Sequence, residues 1–342
     1  MFADNTVFIV GAGASAEFNL PVGSGLMEQI KRNSRFHFDF GQLREGVHEI
    51  LNALHESYRS NGEINDRLAA MVEINRSIDL AGSIDEFINR HHNDLMIAEA
   101  GKLQIAYAIA KAERESLLAY TKNSNVLFPW EKVDGTWIKT FAQLLFEGVR
   151  NEEVEQVGNN ITIICFNYDR CIEHYLTEAI IKTFRGVDRE GALKIVSRIN
   201  IIHPYGSLGP LGRHPFGEQI APHNLVKMSN NIVTWSESVE SARKAAIEKA
   251  MLSASTLVFL GFAFASQNMN LLTAVQARDS RTSLEVFATG YGYDDVIDDR
   301  LKNKIMNLYS VSGTATSEEY IHVQYNMKCA KFLQAHSMAL VA

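Results

Sequence analysis

A mostly parallel α/β sheet interrupted by a large helical insertion is the fold class this sequence predicts, on three observations. Short apolar runs rich in β-branched and aromatic residues recur along the chain, each bounded by turn residues, as strands covered on both faces require. Helix-period segments such as Cys171–Phe184 and Val239–Leu252 separate the later runs, an alternation that indicates right-handed crossovers between parallel strands. Between the first run and the second lies a long stretch, residues 36–158, in which helix-period apolar positions dominate.

The first strand is Thr6-Val-Phe-Ile-Val10, which runs into Gly11-Ala-Gly-Ala-Ser15. Gly11 and Gly13 let the backbone turn tightly and approach a ligand, and the N–H groups that follow face an anion at a helix start; a diphosphate is the natural occupant. The common dinucleotide fingerprint fits only in part. Gly11, Gly13 and Ala16 have its spacing, but Asn19-Leu-Pro-Val-Gly23 cuts the following helix after about one turn, and Arg32, Asn33 and Arg35 stand where an acidic ribose partner is expected. In the insertion, Gln42–Tyr58, Ile64–Ile74, Ile84–His92, Leu95–Tyr120 and Thr136–Gly148 read as helices without proline, Leu95–Tyr120 spanning roughly 39 Å. Further strands are read at Ile161–Phe166, Ile199–His203, Thr256–Gly261 and Ser283–Thr289. Ser317–Ala342 reads as a closing helix. The expected division is therefore a Rossmann-like domain of residues 1–35 plus 159–342, and a helical insertion of residues 36–158.

Composition narrows the function classes. At 342 residues and 46% hydrophobic content the chain can bury a sizeable core. No apolar run approaches the roughly 18 residues of a membrane span, and no basic-apolar signal pattern opens the chain, so the expectation is a cytoplasmic protein without membrane contact. The formal charge of −7 is uneven: residues 36–158 hold 12 Lys/Arg against 20 Asp/Glu. An acidic middle segment argues against nucleic acid as a direct partner, since duplex binding uses a basic face. Cys165, Cys171 and Cys329 lack zinc-site spacing, so no zinc is expected, and they read as small apolar packing residues.

Three later junctions carry chemistry-bearing residues past strand ends, where α/β sheets place ligands. Cys165-Phe-Asn-Tyr-Asp169 offers the Asn167 amide and the Asp169 carboxylate, the latter able to accept from a carboxamide; taken alone, it is equally a turn and a helix N-cap. Ile201-Ile-His-Pro-Tyr-Gly-Ser-Leu-Gly209 brings His203, Tyr205, Gly206 and Ser207; His203 alone also reads as a packed strand-end histidine. Leu257-Val-Phe-Leu-Gly-Phe-Ala-Phe-Ala265 ends at Gly261 and Phe262, with Asn268 beyond.

In this order the four motifs resemble those of the prokaryotic sirtuin-like family. With the helical insert and Ser83-Ile-Asp-Glu-Phe87, the chain is similar to the NAD-hydrolysing effectors of bacterial anti-phage defence. The resemblance implies that NAD+ is the substrate and that Gly11, Ala12, Gly13, Ala14 and Ser15 cradle its diphosphate. It places Asn167 beside the nicotinamide ribose, Asp169 on the carboxamide and Gly261-Phe262 at the adenosine end. It also implies abortive infection through NAD+ depletion, with a homo-oligomer or a partner defence protein holding the enzyme silent at rest; apolar faces of the insertion are the expected assembly surface, if they do not pack on the sheet. One position departs from the family. Its catalytic histidine precedes the glycine of His-Gly-Ser, and here that residue is Tyr205, whose phenol is a poor base at neutral pH. Period-2 geometry would set His203 on the same side as Tyr205, so either His203 has taken the base role or the chain holds a nucleotide as a regulatory subunit with little or no turnover.

Overall fold

The computed structural model describes residues 1–120, 127–234, 241–274, 284–312 and 316–341. Its sheet has six parallel strands: β1 (Thr6–Val10), β4 (Ile161–Cys165), β5 (Asn200–Ile202), β6 (Thr256–Leu260), β7 (Glu285–Thr289) and β8 (Ile321–Gln324). A separate hairpin pairs β2 (His37–Asp39) with β3 (Gln42–Glu45). The spatial order is β5-β4-β1-β6-β7-β8. Counted along the sheet's own strands this is 3-2-1-4-5-6, the doubly wound Rossmann order, whose direction of winding reverses between β1 and β6. The expected fold class holds. β1 lies in register between Ile161–Cys165 on one side and Thr256–Leu260 on the other, and every residue of β1 and β6 is buried.

Alternation along β1 divides the core. Val7 and Ile9 face a layer that includes Ile30, Ile50, Leu54, Met71, Ile105 and Ile109. Phe8 and Val10 face the other layer, with Trp137, Phe141, Tyr175 and Phe332. Phe8 meets the Phe141 ring edge-on at 5.0 Å. The apolar faces of the helices before β4, including Asn61–Ser77, Leu95–Glu115 and Trp137–Phe146, are buried in these two layers, Asn61–Ser77 lying on Leu95–Glu115.

Two segments differ from expectation. Gln42–Tyr58 is not one helix: β2 and β3 turn through Phe40 and Gly41, both at positive φ, and the helix begins only at His48. Two successive positive-φ residues make a hairpin turn whose twist matches the strands, and periodicity does not register so short a pair. Ser317–Ala342 is not one helix either. Ile321-His-Val-Gln324 pairs with β7 as the sheet's sixth strand, and the helix is Cys329–Leu340. An edge strand of four residues, paired with β7 along one edge and half-buried beyond Ile321, looks like a single helical turn in the sequence alone.

Candidate active site

At the C-terminal end of β1 three glycines allow two loops to touch. Gly11 N–H donates to Leu260 O at 3.0 Å and Gly13 N–H to Gly261 O at 2.9 Å. Gly261 has φ +57, and a Cβ there would lie 2.1 Å from Ala14 N; a Cβ on Gly13 would lie 2.9 Å from Gly261 Cα. These contacts are between main chains, so no neighbour can yield. The first helical turn, Ala12–Ser15, is followed by a 3-10 turn that ends at Asn19 with φ +68, and a new helix starts at Gly23. The early break read from Asn19–Gly23 is therefore present. Because Gly13 N–H is held by Gly261 O, it does not face open space.

Two adjoining cavities open at this switch point. The larger, about 530 Å3, has Gly11, Ala12, Asn167, Asp169 and Tyr205 in its wall, closed on the far side by Phe262 and Asn268. The smaller, about 260 Å3, is bounded by Gly13 and Gly261, with Thr289, Tyr291, Tyr293 and Lys328 opposite. Ala12, Gly23, Phe262 and Ala263 belong to both walls. Ala14 and Ser15 are buried behind the loop and line neither.

Asn167 follows β4 and locks onto the first loop: Nδ2 donates to Gly11 O at 3.0 Å and to Ser15 Oγ at 2.8 Å. Both amide hydrogens are therefore engaged, and its side-chain carbonyl accepts no hydrogen bond from the described residues. Asp169 Oδ1 accepts from Cys171 N–H at 3.1 Å, fixing the start of the helix Cys171–Thr183. Asn-Tyr-Asp is therefore a turn that leads into the helix, with Arg170 at the N-cap position, and Asn167 and Asp169 also lie in the wall of the larger cavity. Burial raises the proton affinity of the Asp169 carboxyl despite the hydrogen bonds it accepts. Next to it Arg170 and Glu113, both almost fully buried, form a two-pronged ion pair, with Nη2 to Oε2 at 2.5 Å and Nε to Oε1 at 3.1 Å. It ties the helix Leu95–Glu115 to the loop that carries Asn167 and Asp169.

Asp85 completes the larger cavity and was not singled out from sequence. Ser83 Oγ accepts from Glu86 N–H at 3.1 Å and starts the helix Ile84–Arg90, which aims Asp85 inward. Tyr168 OH donates to Asp85 Oδ1 at 2.6 Å, and burial raises this carboxyl's pKa as well. Its signal in the sequence is the Ser83-Ile-Asp-Glu-Phe87 stretch that carries part of the resemblance, in which nothing sets Asp85 apart from Glu86. Lys328 was missed for a different reason: it follows β8, which the sequence presents as part of a helix, whereas Tyr291 and Tyr293 follow β7, a strand legible in the sequence, without forming a motif of their own.

The His203–Ser207 loop does not join this cleft as a whole. Tyr205 lines it, with its OH donating to Asn268 Oδ1 at 2.7 Å. Burial, with the nearby Asp85 carboxyl adding to it, holds the phenol far above its ordinary pKa, so Tyr205 is a protonated donor at neutral pH. His203, Gly206 and Ser207 instead line a separate cavity of about 600 Å3 with Arg170 and Glu173. The strand geometry invoked for His203 and Tyr205 fails because β5 ends at Ile202 and the chain turns: Gly206 N–H returns to His203 O at 3.1 Å. Gly206 has φ +69, with Asn231 O 1.9 Å from where a Cβ would sit.

Among the described residues no helix is long and apolar enough to cross a membrane, and no group of three or more His, Cys, Asp or Glu side chains converges on a metal position. Comparison with curated proteins gives no match. Residues 161–313 match the family model described as a SIR2-like domain, a span that holds Asn167, Asp169, the His203–Ser207 loop, Gly261 and Asn268 and leaves out the first loop, Asp85 and Lys328. The match makes residues 161–313 similar to a SIR2-like domain, and the strand order and the cleft at the switch point are those of a Rossmann-like fold.

Proposed function

We propose that the two cavities bind NAD+ across the switch point and that the chain hydrolyses its nicotinamide–ribose bond. One observation carries the reading: the division of charge between the cavities. The larger is lined by Asp85, Glu86 and Asp169, and by no lysine or arginine among the described residues. The smaller has Lys328 and no acidic residue in its described wall, with two tyrosine rings beside it. NAD+ has the same polarity, a cationic pyridinium at one end and an anionic diphosphate towards the other. In this pose the nicotinamide end lies by Asp85, Asp169 and Asn167, and the diphosphate passes Ala12 towards Lys328. Tyr291 and Tyr293 offer faces to the adenine.

Hydrolysis needs little from a nucleophile. As the N-glycosidic bond breaks, its electron pair leaves with nicotinamide, which becomes neutral, and positive charge develops on the ribose. A carboxylate on that wall stabilises the charge. Water then forms the new bond to the anomeric carbon, and its proton passes to a carboxyl whose affinity burial has raised, Asp85 or Asp169, and on to solvent. The products are nicotinamide, ADP-ribose and a proton. Asn167, anchored on the first loop, presents its side-chain carbonyl to a ribose hydroxyl or to the water. Neither zinc nor any other metal enters these steps.

With the resemblance noted above, this activity fits an effector that depletes NAD+ in abortive infection and is held silent until a trigger, partner or assembly releases it. The second reading, a regulatory subunit that holds the nucleotide without turnover, is favoured by one fact: among the described residues no imidazole lines the cavity, since His203 lies outside it. Purified full-length chain incubated with NAD+ decides between them. Release of nicotinamide above the no-protein rate supports hydrolysis; calorimetric binding of NAD+ without release, even with the oligomer and any partner assembled, supports the regulatory reading; neither binding nor release in the assembled state refutes both.

A further inference from the structure

We propose that His203 is a positioning residue: held as an imidazolium by Glu173, it clamps the main-chain carbonyl of Asn167 from behind the active site. Its kinetic consequence rests on the hydrolytic reading above; its chemical state does not. His203 Nδ1 lies 3.0 Å from Asn167 O, and a backbone carbonyl only accepts, so Nδ1 carries a hydrogen. Nε2 lies 2.8 Å from Glu173 Oε1. With Glu173 ionised, that oxygen too only accepts, and both ring nitrogens must be protonated.

The surroundings agree with this state. His203 and Glu173 side chains are 11% and 20% exposed. Burial opposes the charge on the ring, but the Glu173 carboxylate 2.8 Å away outweighs it and raises His203 well above the ordinary imidazole range; against its own burial, Glu173 is in turn lowered by His203. The other charged groups on this cavity wall are Arg170, whose guanidinium is engaged by Glu113, Gly209 O and His214 O, and Arg243 from the helix Ser241–Ser253. An imidazolium with both N–H groups in use is no base for a reaction in the cavity across β4.

It is well placed to hold that cavity's geometry. Asn167 is pinned at three points: its amide on Gly11 O and Ser15 Oγ, its carbonyl under His203 Nδ1. That carbonyl belongs to the peptide leading into Tyr168, which reaches Asp85, and into Asp169. The His203 hydrogen bond, beside a longer one from Cys165 Sγ at 4.0 Å, thus helps to fix the backbone that carries Asn167, Tyr168 and Asp169.

His203→Asn and His203→Ala separate positioning from catalysis, because the asparagine amide replaces the Nδ1 donor and supplies no base. Positioning predicts that His203→Asn keeps turnover within about tenfold of wild type, without the wild type's loss of rate as the imidazolium deprotonates. His203→Ala falls by about a hundredfold, as for an ångström-scale misplacement. Equal inactivity of the two, with thermal melts showing both folded, overturns the role. The chemical state is read without NAD+, from nitrogen-15 imidazole spectra of the full-length chain, the His203 signal being the one absent in His203→Asn. Two protonated nitrogens at neutral pH in wild type, and one in Glu173→Gln, support the clamp. A neutral His203 in wild type overturns it, whether or not NAD+ is cleaved. If wild type releases no nicotinamide, NAD+ calorimetry replaces the rate: affinity retained by Asn and lost by Ala supports positioning, and equal loss overturns it.

Discussion

Asn167→Ala removes two hydrogen bonds at once, and the structure lets their effects on stability and on chemistry be separated. The lost bonds run from Nδ2 to Gly11 O and to Ser15 Oγ. Gly11 O keeps a partner in Ala14 N–H at 3.0 Å, and the Ser15 hydroxyl can rotate, so neither acceptor is stranded. The expected cost is then the ordinary net value of about 1 kcal/mol per bond, or about 2 kcal/mol in all. At the lower end of the ~2–4 °C per kcal/mol of somewhat smaller domains, Tm should fall by roughly 4 °C. The protein stays folded at 25 °C, because about 2 kcal/mol is a fraction of the ~5–15 kcal/mol a domain holds. Nicotinamide release should nevertheless fall by about a hundredfold or more, since the side-chain carbonyl proposed to hold the ribose or the water is gone. Ser15→Ala is the control: it breaks one of the two bonds, leaves that carbonyl in place, and should lower stability by about 1 kcal/mol with turnover within a few-fold. Differential scanning fluorimetry and a nicotinamide-release assay on the two variants read both quantities. Unchanged Tm and turnover in Asn167→Ala would refute the anchoring argument; Ser15→Ala as inactive as Asn167→Ala would show that the loop, not the Asn167 carbonyl, carries the effect.

Gly23→Leu adds bulk to the wall shared by both cavities at a helix start where a Cβ meets nothing within 4 Å, so stability should stay level or rise by up to about 1 kcal/mol while NAD+ affinity drops at least about tenfold by calorimetry. Gly13→Val cannot serve that purpose, because its Cβ meets Gly261 main chain and loss of binding would be confounded with damage to the fold. Lys328→Gln should weaken ADP-ribose and NAD+ alike, whereas Asp85→Asn should weaken only NAD+, which carries the pyridinium; parallel losses in both variants would sink the assigned orientation. Glu113→Ala leaves Arg170 charged and buried, and chemical denaturation should show about 3–5 kcal/mol of lost stability. Glu173→Gln tests the His203 pair by its pH dependence. Raised His203 contributes stability below about 6.5 that fades as pH climbs through its folded pKa, and lowered Glu173 contributes stability above about 4.5 that fades as pH falls through its own. The difference in stability between wild type and Glu173→Gln should therefore be greatest between those values and shrink on both sides; a flat difference would contradict the pair.

What the chain makes legible by itself is whatever repeats over a local period. β1, β4 and β6 are apolar on both faces because helices cover both faces of the sheet, and five or six such residues in a row leave few other readings. The glycines at 11, 13 and 261 were equally visible, although the contact that demands them is between two loops 250 residues apart and only the assembled sheet reveals it. Asn167, Asp169 and Tyr205 could be placed near the first loop because each follows a parallel strand whose end must lie there. Tertiary structure alone decided the rest. Asp85 enters from a helix that no strand-end argument reaches, and Lys328 depends on an edge strand stabilised by pairing with β7 and not by its own pattern. His203 and Tyr205 sit two residues apart yet face different cavities, since a turn, not a strand, joins them. Side-chain direction in a turn depends on φ and ψ that neighbours impose, here Asn231 packed against Gly206, and no period in the sequence encodes that.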